Sequence, residues 1–474
     1  MTKLFIFGIG GTGSRVIKSL MMLLASGVKI NASEIIPIII DVDKPNEDLT
    51  RTIEILKLYE SINTTLVRPG YSGFFETKIS NLNPIQGLEF KMEVEDVQGK
   101  KFEDYIDHHT LDDENRKLMD LLFTKENLAL DMQQGFQGNP NLGSVVLNQF
   151  KTNKDFINFA SKFESGDRIF IISSIHGGTG SSGFPLLVKN LRNASVPLPK
   201  SEFIKNALIG AITVLPYFNL NIGKINSNDF TSKAKAALEY YVENVNPELN
   251  SLYYIGYDAE TPRYENHVGG TKQKNPAHFV EFAAAMSIID FMKQPDGSLA
   301  VKGKRFLEFG TDEFVQAIDF KSLGSTSYEM VFEPMTKYFF FLSYLSDQLK
   351  ESIGKQPWNN RGSKKDRLTN DFFNGSTGVY TNIVKFNDFF KSWLEELSKN
   401  RPAFMPFNLS SSKNFMRDGV SNITFKISWN QKSYVRFDDR LNKHESRIKG
   451  LSKEQKFVEL FNRATDELVS NKQE

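Results

Sequence analysis

Two glycine-rich stretches constrain this 474-residue chain more than any other feature, because each follows a short apolar run and precedes a helical pattern. The first, Gly8-Ile9-Gly10-Gly11-Thr12-Gly13-Ser14, leaves Leu4 to Phe7 and enters Val16, Ile17, Leu20, Met21 and Leu24, spaced as on one helix face. The second, Gly177-Gly178-Thr179-Gly180-Ser181-Ser182-Gly183, leaves Arg168 to Ile172 and enters a helix over Pro185 to Leu191. Short, unbroken apolar runs are the pattern of parallel strands buried on both faces. A glycine turn from such a strand into a helix lets backbone N–H groups approach an anion, and the helix dipole favours negative charge there. Hydroxyls of Thr12, Thr179, Ser181 and Ser182 add donors. Glycines also serve tight helix–strand packing, but two such loops at strand ends predict phosphate binding. Neither loop has the Gly-x-x-x-x-Gly-Lys-Ser/Thr spacing, which argues against a P-loop.

The remaining pattern extends this into an α/β chain with a doubly wound parallel sheet. Ile35 to Ile40 is a second β-branched run ending in Asp41-Val42-Asp43. Residues 50–130 carry no nucleotide signal and are expected to be an insertion or extra helices. After the turn-rich Gly135 to Gly143, the spacing predicts a helix over Ser144 to Ser161, a strand over Ala207 to Leu215, a helix over Asp229 to Asn244 and a strand over Ser251 to Tyr257. Asn275-Pro276 reads as N-cap and N1 of a long central helix reaching Met292. Beyond residue 300, helical stripes at Tyr338 to Leu349 and Phe389 to Leu397 mix with an expected hairpin of Ile423 to Trp429 with Tyr434 to Phe437. Ser452 and Gln455 form a capping box for a last helix over Lys453 to Val469. The expected division is a nucleotide-binding domain over 1–274, a central helix and following loop over 275–297, and a mixed α/β C-terminal domain over 298–474.

Composition removes several function classes. With 58 Lys plus Arg against 57 Asp plus Glu, the chain lacks the broad basic field of a nucleic-acid binder. With no cysteine it has no disulfide, thiolate metal site or cysteine nucleophile. No apolar run approaches the ~20 residues that span a bilayer, so a cytoplasmic protein without a transmembrane segment is expected.

At this point the ordered motifs resemble those of the tubulin/FtsZ superfamily. Gly177 to Gly183 resembles its glycine-rich signature, with His176 where the first glycine stands. Gly8 to Ser14 resembles its first nucleotide loop, and Ile38 to Asp43 the strand and acidic loop that follow. Gly138-Asn139-Pro140-Asn141-Leu142-Gly143 resembles its third loop, and Thr213 to Pro216 the strand after the signature helix. The resemblance implies binding of GTP/GDP with Mg²⁺ and head-to-tail self-assembly into a homo-oligomer or filament, with the C-terminal domain open to a protein partner. It implies that Gly10, Gly11, Thr12, Gly13, Gly177, Gly178, Thr179, Gly180 and Ser181 cradle the phosphates. Asp41 or Asp43 lies near them, acting through Mg²⁺, and Asn139 near the γ-phosphate or sugar. Asp258 and Asn275 are the candidates for base recognition, with Phe279 stacking on the base; Asn275 serves equally as a plain N-cap. Family members that hydrolyse GTP place an acidic loop after the central helix, completing the site of the neighbouring subunit. Here that loop reads Lys293-Gln294-Pro295-Asp296-Gly297, so Asp296 is the candidate catalytic group and Pro-Asp-Gly is equally a turn. Turnover therefore stays open.

Two rivals remain. A scaffold would keep the nucleotide fold without turnover. A ThiF-like ATP-dependent adenylyltransferase would explain the first loop and Asp41-Val42-Asp43, but leaves the second loop without a role and lacks a thioester cysteine. His108, His109 and the acids around them suggest metallophosphoesterase chemistry only if further ligands join them; no metal-ligand set is assigned.

Overall fold

The computed structural model describes residues 2–43, 46–83, 89–220, 229–257, 263–264, 274–301, 303, 306–308, 317–360, 367–375, 378–410, 414–425 and 432–470. Its centre is a seven-stranded sheet built from β1 (Lys3–Ile9), β2 (Glu34–Ile40), β3 (Lys91–Met92), β4 (Arg168–Ser174), β5 (Leu208–Val214), β6 (Ser251–Ile255) and β7 (Phe306–Glu308). Every pairing in it is parallel, and the spatial order is 3-2-1-4-5-6-7. The order reverses between β1 and β4, which makes their carboxyl ends the topological switch point, where open α/β sheets bind ligands.

Alternation along the strands sorts side chains to two helical layers, as a period of two requires. Leu4, Ile6, Phe170, Ile172 and Ile212 face α1 (Gly10–Ala25), α2 (Glu47–Leu66) and the central α7 (Phe279–Lys293). Phe5, Phe7, Ile169, Ile171 and Ile209 face the opposite layer of α3 (Pro140–Val146), α4 (Lys154–Lys162), α5 (Gly178–Arg192) and α6 (Asp229–Asn244). The α/β doubly wound sheet is therefore present, followed by a mostly helical region containing α8 (Ser325–Asp347), α9 (Val379–Lys399), α10 (Ser433–Glu445) and α11 (Lys453–Val469). Among the described residues there, a two-residue parallel pair, Ala317–Ile318 with Ala403–Phe404, supplies strand. These helices continue the layer of α1 and α2. Tyr338 and Phe341 of α8 meet both Phe74 and, for Phe341, Phe457 and Phe461 of α11. Each such ring contributes about 1.5–3 kcal/mol of burial, so the shared aromatic core holds the two regions together.

Four expectations change, the first in part. The stretch 50–130, expected as an insertion or extra helices, does supply a helix, α2, but also the edge strand β3 of the sheet itself. The helix expected over Ser144 to Ser161 is two helices, because Asn153 caps a new start by accepting from the N–H groups of Asp155 and Phe156. Tyr434 to Phe437 is not a strand but the first turns of α10, where Phe437 and Leu441 point into the core. Of the rest of that expected hairpin, 426–431 lies outside the described residues. The central helix begins at Phe279 rather than at Pro276, and its N-cap is His278, whose Nδ1 accepts from the Val280 N–H at 3.0 Å.

Candidate functional site

β1 delivers Gly8 to Ser14, and β4 delivers Gly177 to Gly183, to the switch point. Their glycines have two different jobs. Gly13 lies against β1: a Cβ there would fall 2.4 Å from the Gly8 carbonyl carbon, so this glycine lets α1 touch the strand. Gly10 has φ +71°, which glycine accommodates without strain, and a Cβ on it would lie 3.4 Å from the Thr179 Cβ. The two loops thus adjoin. Gly178 in turn packs on the third loop, since its Cβ would stand 3.2 Å from the backbone nitrogens of both Gly138 and Asn139. Gly135 brings that loop to Asp43, at 4.0 Å between a built Cβ and the Asp43 Cβ. Four loops therefore converge.

The convergence is rich in hydrogen-bond donors. α1 and α5 both start with no side-chain cap and no acid in the first turn. The first N–H groups of a helix have no partner within it, so two helix starts offer donors and partial positive charge to one crevice. The hydroxyls divide. Ser181 donates back to the Gly177 carbonyl and Ser182 to the Gly178 carbonyl, which uses their protons inside α5. Thr12 Oγ1 instead accepts from Arg15 Nη2 at 3.3 Å, which leaves its proton for another acceptor. Lys233 of α6, which the sequence reading passed over, donates to the Gly138 carbonyl at 3.0 Å and adds a cation to the third loop.

The loop after β2, which the third loop meets at Asp43, carries two carboxylates. Asp43 is buried and its N–H donates to Asp41 Oδ1 at 3.2 Å. Burial, and then the Asp43 charge, push Asp41 up to about 7, against backbone hydrogen bonds from Asp43 and Val42 and the Arg15 charge. A divalent cation would relieve both causes, so the acid pair fits Mg²⁺ carried in with a phosphate group. His176 is buried behind the second loop, and burial together with Arg15 hold it down to about 4, so it is neutral near pH 7.

Beneath the first loop lies a buried charge cluster that the sequence did not announce. Arg15 Nε donates to Glu281 Oε1 at 2.6 Å, Nη1 to Asp48 Oδ2 at 3.2 Å and Nη2 to the Tyr217 hydroxyl at 2.8 Å. Arg51 bridges Asp48, at 3.0 Å, to Glu396 of α9, at 2.7 Å. Lys18 lies 3.7 Å from Glu396. Burial opposes the charge on Arg15, yet Tyr217, Glu281 and Asp48 outweigh it and raise its pKa.

Gly10, Gly11, Thr12, Gly13, Asp41, Asp43, Asn139, Gly177, Gly178, Thr179, Gly180 and Ser181 all lie on the converging loops. The base candidates fare differently. Asp258 lies outside the described residues. Asn275 is held by its backbone: its N–H donates to both Asp48 oxygens at 3.2 Å and its carbonyl accepts from Arg51 at 3.0 Å. The Phe279 ring is buried among Phe282 and Phe404, at centroid distances of 5.8 and 5.5 Å, which commits it to the core rather than to an exposed stack. Asp296 is at the other end of the sheet, ion-paired with Arg168, the first residue of β4. Seven residues of strand at ~3.3 Å each put it about 20 Å from the glycine loops of its own chain.

No family model matches the sequence, and no curated protein matches it either. Among solved structures, the chain is similar in part to CetZ2 from Haloferax volcanii, described as a GTPγS-bound protofilament, at 13% identity and TM-score 0.30, over 62% of this chain and 58% of that one. It is similar also to CetZ from Methanosaeta thermophila, at 19% identity and TM-score 0.29, over 54% of this chain and 46% of that one. The chain matches about half the length of those proteins.

Proposed function

We propose that this chain binds GTP or GDP with Mg²⁺ at the β1/β4 switch point and self-assembles in a nucleotide-dependent way, as a tubulin/FtsZ-like protein. The observation that carries the reading is the meeting of two uncapped helix starts, at Gly10 and Thr179, where the strand order reverses. The phosphates rest on the N–H groups of Gly10 to Gly13 and Gly178 to Gly180, with Thr12 and Thr179 donating. Asp41 and Asp43 hold Mg²⁺, which neutralises phosphate charge, and Asn139 lies beside the terminal phosphate or sugar. Guanine rather than adenine follows from the ordered motif resemblance. Asp296, on the far end of the sheet, serves the site of a neighbouring copy.

Turnover per molecule is the test. A self-assembling GTPase hydrolyses GTP at a rate per molecule that rises with protein concentration, pellets more with GTP than without, and loses the concentration dependence in Asp296→Ala. GTP binding with no turnover at any concentration identifies a nucleotide-binding scaffold instead, and pyrophosphate exchange into ATP identifies an adenylyltransferase.

A further inference from the structure

The buried cluster under the first loop balances three cations, Arg15, Lys18 and Arg51, against three carboxylates, Asp48, Glu281 and Glu396, and its members come from four elements. Arg15 and Lys18 belong to α1, Asp48 and Arg51 to α2, Glu281 to the first turn of α7, and Glu396 to α9. The backbone joins in. Asp48 accepts from the Asn275 N–H, Glu396 from the Ala277 N–H at 2.8 Å, and Glu281 from the His278 N–H at 3.2 Å, so the whole approach to the central helix hangs on the same carboxylates. Asn400 Nδ2, just beyond α9, returns a bond to the Ala277 carbonyl at 2.9 Å.

Its upper boundary is the glycine loop. A Cβ on Gly11 would lie 3.3 Å from Arg15 Nη1, and Arg15 Nη2 holds the Thr12 hydroxyl oxygen. Its lower boundary is the C-terminal helical region, where Trp393, one turn before Glu396, donates from Nε1 to Ser19 Oγ of α1 at 3.2 Å. A buried charge that loses a partner is costly, so a shift of Arg15 propagates to every carboxylate it holds rather than stopping at the first.

We propose that Arg15 is a positioning residue that aims the Thr12 hydroxyl into the crevice, and that Glu396 of α9 completes the same cluster, so that affinity at the glycine loops depends on the C-terminal helical region and that region registers occupancy. This deepens the nucleotide reading above and rests on it. Glu396 touches no part of the crevice itself; its effect passes through Arg51, Asp48 and Arg15. By reciprocity, a C-terminal partner that displaces α9 weakens the nucleotide, and bound nucleotide opposes that displacement by the same factor.

The test pairs calorimetric titration with GTP and Mg²⁺ with hydrogen exchange of peptides covering 387–401 in the full chain. In the wild-type chain, GTP slows exchange over 387–401, and Glu396→Gln weakens GTP by roughly five- to twentyfold without contacting it. GTP binding with unchanged exchange over 387–401, and with Glu396→Gln affinity within twofold, overturns the relay and leaves the nucleotide reading standing. If Glu396→Gln fails to fold, the wild-type exchange comparison decides alone. No GTP binding by the wild-type chain overturns both.

Discussion

Gly10 and Thr179 come from loops 169 residues apart in sequence, yet a methyl group on the first would touch the side chain of the second at 3.4 Å. That contact exists because β1 and β4 are neighbours in register, Gly8 beside Ile172, and because β1 turns directly into a helix and β4 does so after three residues. The consequence is a crevice walled by two helix starts, with the third loop joining it to the acid pair after β2.

The packing role of Gly13 separates from the ligand role of the loop. Gly13→Ala would drive a methyl group to 2.4 Å from the Gly8 backbone and push α1 off the strand. The expected loss is about 1–3 kcal/mol, as for an overpacked core. Gly297, with nothing within 4 Å, is the control: Gly297→Ala changes stability by no more than about 1 kcal/mol. Urea unfolding of the two variants checks the contrast, and equal effects would contradict it.

The hydroxyls divide the same way. Thr12→Ala and Thr179→Ala each remove a proton free to meet a phosphate oxygen, so each lowers affinity about tenfold. Ser181→Ala removes a bond internal to α5 and leaves affinity within about twofold. Gly178→Val is a poorer probe, because its side chain meets Phe136 and the third loop as well as any ligand. Titration of the alanine series measures this, and a Ser181→Ala loss equal to that of Thr12→Ala would refute the assignment.

Asp41 makes the ligand-free protein sensitive to pH. Its folded pKa of about 7 lies above the ordinary carboxylate value near 4, so the folded chain holds a proton the unfolded chain has released. Stability from this group is fully present below about pH 4 and is lost as pH rises to about 7. Asp41→Asn removes that slope and gains stability at pH 8, by about 1–2 kcal/mol after allowing for screening. Mg²⁺ stabilises the wild-type chain more than the variant. Denaturant midpoints at pH 5 and pH 8 settle the sign.

His176 and His278 work in the opposite direction. Burial first holds both down to about 4, below the unfolded value near 6.5, so the unfolded chain binds protons first on acidification. Their contribution is present above about pH 6.5 and is lost as pH falls toward 4. His278 is held in one tautomer, with Nδ1 accepting from Val280 and Nε2 donating to the Arg401 carbonyl at 2.8 Å. His278→Asn retains a capping acceptor and flattens the acid-side slope. Because Asp41 slopes the other way over much of the same range, thermal melts of the two single variants are needed to separate them.

The glycine loops were legible because strand, loop and helix are contiguous in sequence and glycine marks both close packing and positive φ. The switch point followed once the strands were ordered. Arg15 was not legible: its partners Asp48, Tyr217 and Glu281 lie 33, 202 and 266 residues away, and an arginine one turn into an apolar helix reads as an ordinary solvated charge. The cap at His278 escaped for a different reason. Histidine is not a preferred N-cap, whereas Asn275-Pro276 carries the usual signal and is spent instead on backbone bonds to Asp48 and Arg51. At Tyr434 to Phe437 four residues were too few to distinguish a period of two from 3.6, and the packing of Phe437 against Tyr344 and Phe461 selects the helix.

Nucleotide binding at the β1/β4 switch point is read out by calorimetric titration of the purified, nucleotide-stripped chain with GTP and with ATP, both with Mg²⁺. Saturable one-site binding that prefers GTP and weakens about tenfold in Thr12→Ala is the expected result. Binding of neither nucleotide, or equal binding by the wild-type and Thr12→Ala chains, would contradict it.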